Sequence, residues 1–304
     1  MTASLFTAAC LLGGLVALWA ALPAGRAWFV RNFNPANRIQ RAVTALGSLL
    51  VLFLAGWIVA PDHRQWFENV GLIAVAALIG ACVAAPSLRI RRAAARQPRR
   101  VLAIGAHPDD LELACGATLA KLADAGHEVR TMVMSSGSQG GNSATRRVEA
   151  ASGSDFMGVS ALQLLDFVDT NLSGHGQEMT QAIEAFMEEF QPDLVMTHSP
   201  NDYHQDHQAV HNATMRAARR HSSILCFESP SSTRQFDPSV FVDIAGYVDV
   251  KIHAVALHRN QKGKPYMSAE RVRSLAAFRG AQVKTAYAEG FESVRLLGSD
   301  VGEF

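Results

Sequence analysis

The chain has 304 residues and a formal net charge of +1, a balance that gives no support for a nucleic-acid partner. Its four cysteines show no CxxC spacing, which argues against a cysteine zinc site or a redox motif. The length allows about two domains. The first part, up to about residue 90, is apolar with islands of arginine, and the remainder has the composition of a soluble domain.

Three uncharged stretches in the N-terminal part are long enough to cross a membrane as helices. They cover residues 1–25, 42–61 and 71–88, and a spanning helix needs roughly 17–25 apolar residues. Tryptophans lie at or near the ends of these stretches, where indoles favour the membrane interface: Trp19, Trp28, Trp57 and Trp66. A cleaved signal peptide is the alternative for the first stretch, and a buried or interfacial helix is the alternative for the third.

The distribution of arginine predicts the orientation of these segments. Arginines are concentrated in the first loop and after the third stretch, at positions 26, 31, 38, 41, 89, 91, 92, 96, 99 and 100. The loop over residues 62–68 has one arginine and two acidic residues. The positive-inside rule therefore predicts a multi-pass protein, of the bacterial inner membrane type, with its C-terminal domain in the cytoplasm. The predicted domains are a membrane region over 1–90, a basic linker over 91–100 that stays near anionic headgroups, and a soluble domain over 101–304.

Beyond residue 100, short apolar runs alternate with helical patterns. Strands are predicted over residues 101–104, 128–134, 162–167, 194–197, 224–227 and 241–244, and helices over 111–125, 146–157, 179–190, 208–221, 248–259 and 269–282. This alternation is typical of a parallel sheet covered by helices on both faces. The predicted fold class is therefore α/β, with a Rossmann-like parallel sheet preceded by about three transmembrane helices.

Two clusters of imidazole and carboxylate side chains follow two of the predicted strands. His107-Pro108-Asp109-Asp110 follows the first strand, and Tyr203-His204-Gln205-Asp206-His207 follows the fourth. Right-handed crossovers bring the carboxyl ends of such strands to one edge of the sheet, where ligands bind. Two histidines and one carboxylate suit a catalytic zinc with an open position, and a further aspartate beside the metal can act as a general base on water.

The residues alone assign part of this metal site. His107 and Asp110 can reach one ion, with Asp109 beside it, and one of His204 and His207 completes the triad while the other faces the substrate. Asp206 is a candidate to orient a histidine from behind. The alternative is that Asp109 or Asp110 only caps the following helix, which accounts for neither the histidines nor the second cluster.

A glycine-rich segment, Gly-Ser-Gln-Gly-Gly-Asn over residues 137–142, follows the second predicted strand. It is predicted to line a substrate cleft, and a mobile loop is the alternative. Neither GxGxxG nor GxxxxGK[ST] occurs, so the sequence does not favour a nucleotide-binding sheet.

These motifs resemble the PIG-L/LmbE family of zinc-dependent N-deacetylases. The resemblance rests on Ala106-His107-Pro108-Asp109-Asp110 with Glu112, and on the second cluster, Tyr203 to His207. Further matches extend over about residues 100–297: Ala114-Cys115-Gly116-Ala117-Thr118-Leu119-Ala120, Arg146 with Glu149, Leu165-Asp166-Phe167 with Asp169, Thr197-His198-Ser199-Pro200, Lys251 with Gln261, and Ala288-Glu289-Gly290-Phe291. The three apolar stretches lie outside this resemblance.

The resemblance implies a role for each motif residue. His107, Asp110 and His207 match the ligands of Zn²⁺, for which another divalent metal can substitute. Asp109 matches the general base that activates water at the metal, and His204 matches the imidazolium that stabilises the oxyanion. The expected substrate contacts are Arg146 and Asp169, with Tyr203 in either a substrate-binding or a packing role.

The resemblance also implies a reaction. The expected function is removal of an N-acetyl group from an N-acetylglucosaminyl substrate, and the membrane region suggests a membrane-associated or lipid-linked sugar. Two alternatives are an amidase that acts on a soluble amino-sugar or a thiol conjugate, and an inactive membrane-anchored binding module.

Overall fold

The computed structural model describes residues 3–298. The chain divides into two compact units, Met1–Arg91 and Arg92–Phe304. The start of the first predicted span at residue 1 and the end of the predicted soluble domain at residue 304 lie outside the described residues.

The first unit is helical. It contains α1 (Ala3–Ala21), α2 (Pro23–Asn32), α3 (Ala36–Val59) and α4 (Arg64–Ala84). By length and composition, three segments are long and apolar enough to cross a membrane: Ser4–Ala21, Ala36–Val59 and Pro61–Leu88. The helices α3 and α4 begin six and seven residues before the predicted starts at 42 and 71. The short helix α2 was not predicted.

Helices α1 and α3 pack closely because small residues face each other. A Cβ atom at Gly47 would lie 2.3 Å from the carbonyl oxygen of Gly13 and 2.6 Å from Cβ of Ala17. Around this contact Phe6, Cys10 and Leu50 are fully buried. Close approach through small residues is the usual way in which helices associate in lipid.

The second unit is built on a seven-stranded sheet. Its strands are β1 (Arg100–Gly105), β2 (Glu128–Ser135), β3 (Ala161–Phe167), β4 (Leu194–His198), β5 (Ile224–Phe227), β6 (Val240–Asp243) and β7 (Ala288–Arg295). They lie in the order β3-β2-β1-β4-β5-β7-β6. The first five run parallel, as predicted, whereas the unpredicted β7 pairs antiparallel with both β5 and β6 and makes the sheet mixed.

Helices form layers on the sheet, which confirms the α/β prediction. They are α5 (Asp110–Asp124), α6 (Ser143–Met157), α7 (Gly176–Phe190), α8 (Gln205–Ala217), α9 (Val248–Ala256) and α10 (Ala269–Gln282). Ile183 of α7 and Val210 of α8 pack on Leu102, Ile104 and Val195 of the central strands. The other layer contains α5, α6, α9 and α10, in which α5 contacts α6 and α9, and α10 contacts α9.

The strand order positions the motifs predicted to be functional. Strand β1 pairs with β2 on one side and with β4 on the other, so the chain winds outward in both directions from this point. Ligands bind at such a switch point in open α/β sheets. The first motif follows β1 directly and the second follows β4, so both open onto this point.

A buried ion pair connects three parts of the second unit. Nζ of Lys251 on α9 donates to Oε1 of Glu289 on β7 at 2.6 Å and to the carbonyl oxygen of Ala114 on α5 at 3.1 Å. Glu289 also accepts the backbone N–H groups of Ala117 and Thr118. Both side chains of the ion pair are about 95% buried, so the pair holds α5, α9 and β7 together.

We expect Lys251→Met to lower the free energy of unfolding by about 3–5 kcal/mol, because it leaves the Glu289 carboxylate buried without its cation. Thermal unfolding of the detergent-purified chain measures the effect. The exposed Lys262 provides the matched control, Lys262→Met. Equal melting temperatures for the two variants would contradict a structural role for the pair.

Candidate metal centre

A cleft of about 320 Å³ opens at the switch point. Its lining includes most of the residues singled out by the sequence: His107, Asp109, Asp110, Arg146, Asp169, His204 and His207. Gln139 and Gly140 of the glycine-rich segment also line it, which confirms the cleft prediction for that segment. Lys264 and Tyr266, from the stretch between α9 and α10, also line it.

The carboxylate of Asp110 lies between two histidines. Its Oδ2 is 3.4 Å from Nδ1 of His107, and its Oδ1 is 3.4 Å from Nε2 of His207. Metal–ligand bonds of about 2.0–2.1 Å in a tetrahedral site place neighbouring ligand atoms roughly 3.3–3.4 Å apart. Each of these two distances fits a pair of neighbouring ligands on one small divalent ion, one contact through each oxygen of Asp110.

The second nitrogen of each of these histidines is held by an acid. Nε2 of His107 lies 3.1 Å from Oδ1 of Asp169 and 3.2 Å from Oδ2 of Asp206. Nδ1 of His207 lies 2.9 Å from Oδ2 of Asp202. A carboxylate only accepts hydrogen bonds, so each of these nitrogens carries the proton. The arrangement leaves Nδ1 of His107 and Nε2 of His207 directed at Asp110, as in sites where acids orient metal-binding histidines.

The electrostatics of this group favour a cation. Burial opposes charge on His207, but Asp110 and Asp202 outweigh it and raise its pKa to about 9. Burial likewise opposes charge on His107, and its contacts with Asp110, Asp169 and Asp206 raise its pKa well above the usual value. The pKa of Asp110 is held well below its usual range, against burial, by His207 and His107. The surrounding carboxylates stabilise positive charge at both imidazoles. A divalent metal bound to these nitrogens would supply that charge, so this set of side chains suits a divalent metal.

The groups of three possible ligands whose atoms lie close together overlap this set, and among the described residues none of them contains His107, Asp110 and His207 together. Within the described residues, three groups have ligand atoms within 4.8 Å of one another: His107 with His204 and His207, Asp110 with His198 and His207, and His107 with Asp169 and Asp206. His198 is a weaker ligand candidate than His107, because its Nε2 accepts the backbone N–H of Ala106 at 3.1 Å. Burial and His207 lower the pKa of His198 to about 4, so its ring is neutral.

Asp109 lies at the edge of the group in contact with an arginine. Its Oδ1 is 3.0 Å from Nη2 of Arg146, whose Nη1 donates to the carbonyl oxygen of Gly137 at 2.7 Å. The φ of Gly137 is +66°, and a Cβ there would lie 2.3 Å from Nη1 of Arg146, so this position requires glycine. Burial and the neighbouring Asp110 raise the pKa of Asp109. That direction suits a group that must first accept and later release a proton.

His204 is the N-cap of α8, and its ring faces the same cleft. Its Nδ1 accepts the backbone N–H of Asp206 at 3.3 Å, and burial together with His207 and His107 lowers its pKa. An Nδ1 that accepts this N–H is unprotonated, so in this arrangement the ring carries its proton on Nε2; the resemblance implied an imidazolium. A neutral ring of this tautomer still has one N–H to donate.

The remaining predicted residues differ in position. Asp169 lines the cleft, accepts the backbone N–H of Gln139 at 2.7 Å, and has a pKa lowered to about 2, against burial, by its hydrogen bonds to His107 and Gln139. Asp206 is fully buried behind His107, where it also accepts the N–H groups of Thr170 and Leu172. Tyr203 is 76% exposed and does not line the cleft, so the structure does not bring it to the site.

Sequence reasoning missed Asp202. This side chain is 1% exposed, and besides His207 it accepts the backbone N–H of His204 at 2.9 Å and the hydroxyl of Ser231 at 2.6 Å. Its contact with His207 and the hydroxyls of Ser229 and Ser231 hold its pKa well below the usual value despite burial. The sequence feature that could have identified Asp202 is its position directly before Tyr203 and His204, in the loop that follows β4.

We expect Asp202→Asn to weaken metal affinity by about 10–100-fold, because the amide holds the proton on Nδ1 of His207 less firmly. Competition against a chromogenic metal chelator measures the affinity. The control is Asp155→Asn, which removes an exposed carboxylate on α6. Unchanged metal affinity with an unchanged melting temperature would show that Asp202 does not support His207.

Comparison with known proteins confirms the resemblance to the PIG-L/LmbE family. Residues 102–218 match the family model described as PIG-L, GlcNAc-PI de-N-acetylase. The chain is 36% identical over 173 residues to the uncharacterized deacetylase YaiS of Escherichia coli K12, covering 55% of this chain and 94% of that protein. It is 29% identical to the diacetylchitobiose deacetylase of Thermococcus kodakarensis, over 64% of this chain and 83% of that protein.

A solved structure shares the fold. The N,N'-diacetylchitobiose deacetylase of Pyrococcus horikoshii superposes with a TM-score of 0.58 at 23% identity, covering 68% of this chain and 90% of that one. One family accounts for the sequence matches, for the mixed α/β sheet and for the position of the two motifs at its switch point. The chain belongs to the PIG-L/LmbE deacetylase family.

Proposed function

We propose that this protein is a metal-dependent N-deacetylase that hydrolyses the acetamide of an N-acetylglucosaminyl substrate at a membrane surface. The observation that carries the proposal is the convergence of His107, Asp110 and His207 beside a buried aspartate in one open cleft. The deacetylase names of the relatives support the type of reaction.

His107, Asp110 and His207 would hold the metal, through the two nitrogens and the carboxylate that face one another. A bound Zn²⁺ or similar ion supplies Lewis-acid polarisation of the amide carbonyl and makes water more acidic. The residues around it then bind the sugar and move protons. Arg146 and Asp169, which flank the cleft, are the proposed contacts for sugar hydroxyls.

Asp109 is the proposed general base. Its carboxylate takes a proton from the attacking water and gives that proton to the amide nitrogen as the C–N bond breaks, so that acetate and the free amino-sugar are formed. Arg146 fixes the orientation of the carboxylate through the 3.0 Å contact. Positioning of this kind removes much of the entropy cost of the reaction.

His204 is the proposed donor to the developing oxyanion. Because its Nδ1 is engaged by a backbone N–H, its Nε2–H is the group available to donate. A donor directed at the charge that forms in the transition state is typically a large contribution to catalysis. The neutral ring provides this hydrogen bond without prior protonation.

The location follows from the first unit. Three segments of spanning length and a surplus of arginine in the first loop and after the third segment favour a multi-pass inner-membrane protein with a cytoplasmic catalytic unit. A substrate at the membrane surface, such as a lipid-linked sugar, suits that location.

Protease should remove the second unit in inside-out vesicles and leave it intact in right-side-out vesicles. The reverse pattern would contradict the proposed orientation.

Acetate release from a substrate panel tests the function. The detergent-purified chain is given a methyl N-acetylglucosaminide, a lipid-linked N-acetylglucosaminide and an N-acylated thiol conjugate. We expect release from the sugars, with the lipid-linked sugar preferred. Release from the thiol conjugate alone would overturn the sugar assignment while leaving the amide hydrolase intact.

A further inference from the structure

The helix α2 is too short to span a membrane. It has 10 residues, whereas a spanning helix needs roughly 17–25. Only Leu22 separates it from α1, and it packs back on the last turn of that helix. A Cβ atom at Gly25 would lie 2.9 Å from Cα of Ala20, so this close approach requires glycine. A short helix folded against the end of a spanning segment is suited to lie along the membrane interface.

Hydrogen bonds bring α2 to the end of the first unit where α1 ends, α3 begins and α4 ends. Nε2 of Gln40, on α3, donates to the carbonyl oxygen of Ala20 at 2.9 Å. The backbone after α2 pairs with the backbone after α4, since the N–H of Asn34 donates to the carbonyl oxygen of Leu88 at 3.0 Å. Three segments that are distant in the sequence therefore form one surface, which we call the α2 end (residues 19–41 and 88–91).

Two partly exposed tryptophans lie at the α2 end. The rings of Trp19 and Trp28 meet edge to face with their centroids 5.4 Å apart, and Trp28 also packs on Phe33 at 5.5 Å. Trp19 and Trp28 are nevertheless 40% and 43% exposed. Indoles combine an apolar body with a polar N–H, and they favour the level of the lipid headgroups. The pair therefore indicates that the α2 end lies at the boundary between membrane and water.

The α2 end also carries a concentration of positive charge. Exposed arginines lie on α2, early in α3 and after α4: Arg26, Arg38, Arg41, Arg89 and Arg91. Among residues 1–91 the acidic side chains are those of Asp62 and Glu68, which lie at the opposite end, after α3 and near the start of α4. The positive charge of the α2 end is therefore not neutralised by carboxylates of the same unit.

An apolar strip on α1 ends at α2. Its leucines recur at intervals of three or four residues, which places them on one helical face: Leu11, Leu15, Leu18 and Leu22. Each of them is about half exposed or more. A ligand with acyl chains and an anionic headgroup can contact both the strip and the arginines, whereas a soluble phosphate can contact only the arginines. The surface therefore favours a phospholipid over a free anion.

We propose that the α2 end binds the headgroup of an anionic phospholipid, with α2 lying along the membrane interface. The phosphodiester pairs with the guanidinium groups, whose donors match phosphate oxygens in geometry. The acyl chains lie along the leucines of α1, and the indoles of Trp19 and Trp28 lie at the level of the headgroup. This inference rests on the proposed membrane location and is independent of the proposed deacetylase reaction.

Native mass spectrometry of the full chain in detergent tests the site. The chain is titrated with phosphatidylglycerol, and in parallel with phosphatidylcholine that has the same acyl chains. We expect the wild type to bind phosphatidylglycerol at least about 10-fold more tightly, since each arginine that pairs with a net negative headgroup contributes about 5-fold in affinity.

Substitutions locate the binding. Replacing Arg38 and Arg41 together with glutamine should lower the affinity for phosphatidylglycerol by about 25-fold, and Arg26→Gln, on α2, should lower it by about 5-fold. The matched control is Arg64→Gln, which removes an exposed arginine that packs on Trp57 at the opposite end. This control should bind as the wild type does. Circular dichroism spectra that match the wild type show that each variant is folded.

Glycerol 3-phosphate distinguishes a lipid from a soluble anion. It has the phosphate charge without the acyl chains, so it should not displace phosphatidylglycerol even when it is present in molar excess. Displacement would show that the arginines bind a soluble phosphate and would overturn the assignment to a lipid.

The remaining outcomes separate the proposals. Equal affinity for the two lipids, or an equal loss in Arg64→Gln and in the double variant of Arg38 and Arg41, would overturn the site. A chain recovered from cells in the soluble fraction without detergent would overturn the membrane location, and this site with it. Retention of phosphatidylglycerol by a chain that releases no acetate from any sugar would leave the site standing and overturn the deacetylase.

Discussion

Replacing Asp109 with asparagine is expected to lower kcat by about 10²–10⁴-fold while the metal stays bound. Asparagine keeps the shape of the side chain but cannot take a proton from water. The three proposed metal ligands are untouched, so metal content should match that of the wild type. The measurement combines acetate release with metal analysis of the same sample.

The substitution also alters an ion pair, and a control separates this effect. Arg146 loses its carboxylate partner but keeps its hydrogen bond to the carbonyl oxygen of Gly137. Asp249→Asn breaks another aspartate–arginine pair, that with Arg273, away from the cleft. It should retain full activity. Turnover by Asp109→Asn equal to that of the control would remove Asp109 from the role of base.

Replacing His207 with alanine is expected to abolish metal binding and, with it, nearly all acetate release. The change removes Nε2, which faces Asp110 at 3.4 Å, and leaves two of the three proposed ligands. A catalytic zinc site typically needs three protein ligands. We expect about one metal ion per chain in the wild type and a much lower content in the variant, as measured by elemental analysis.

This variant also needs a matched control. His253→Ala removes a half-buried histidine that packs against Phe156 outside the cleft, and it should keep both metal and activity. Full metal content in His207→Ala would show that the ion is held elsewhere. The group formed by His107, Asp169 and Asp206 would then be the next candidate.

The central strands could be predicted because the sequence pattern of each strand lies within a few consecutive residues. The strands β1 and β4 are largely apolar runs that are followed by His107 and by the stretch before His204, and parallel strands buried on both faces have this appearance. Strand β7 was missed because its buried portion contains Glu289 and Gly290, both atypical of strands. Only the tertiary contact with Lys251 explains why a glutamate is buried there.

At the site, too, the local sequence does not reveal tertiary contacts. Adjacent residues in a loop can point in opposite directions, and the sequence does not show which of Asp202 and Tyr203 turns inward. The structure buries Asp202 against His207 and leaves Tyr203 exposed. Lys264 and Tyr266 reach the cleft from a segment about 60 residues after the second motif, and no spacing rule links them to it.

The most direct test of the account is acetate release from a methyl N-acetylglucosaminide by the same protein sample before chelation, after chelation, and after Zn²⁺ is returned. Metal content is measured at each stage. We expect release that disappears with the metal and returns with it. Undiminished release from protein shown to be free of metal would contradict the assignment of His107, Asp110 and His207 as a catalytic metal site.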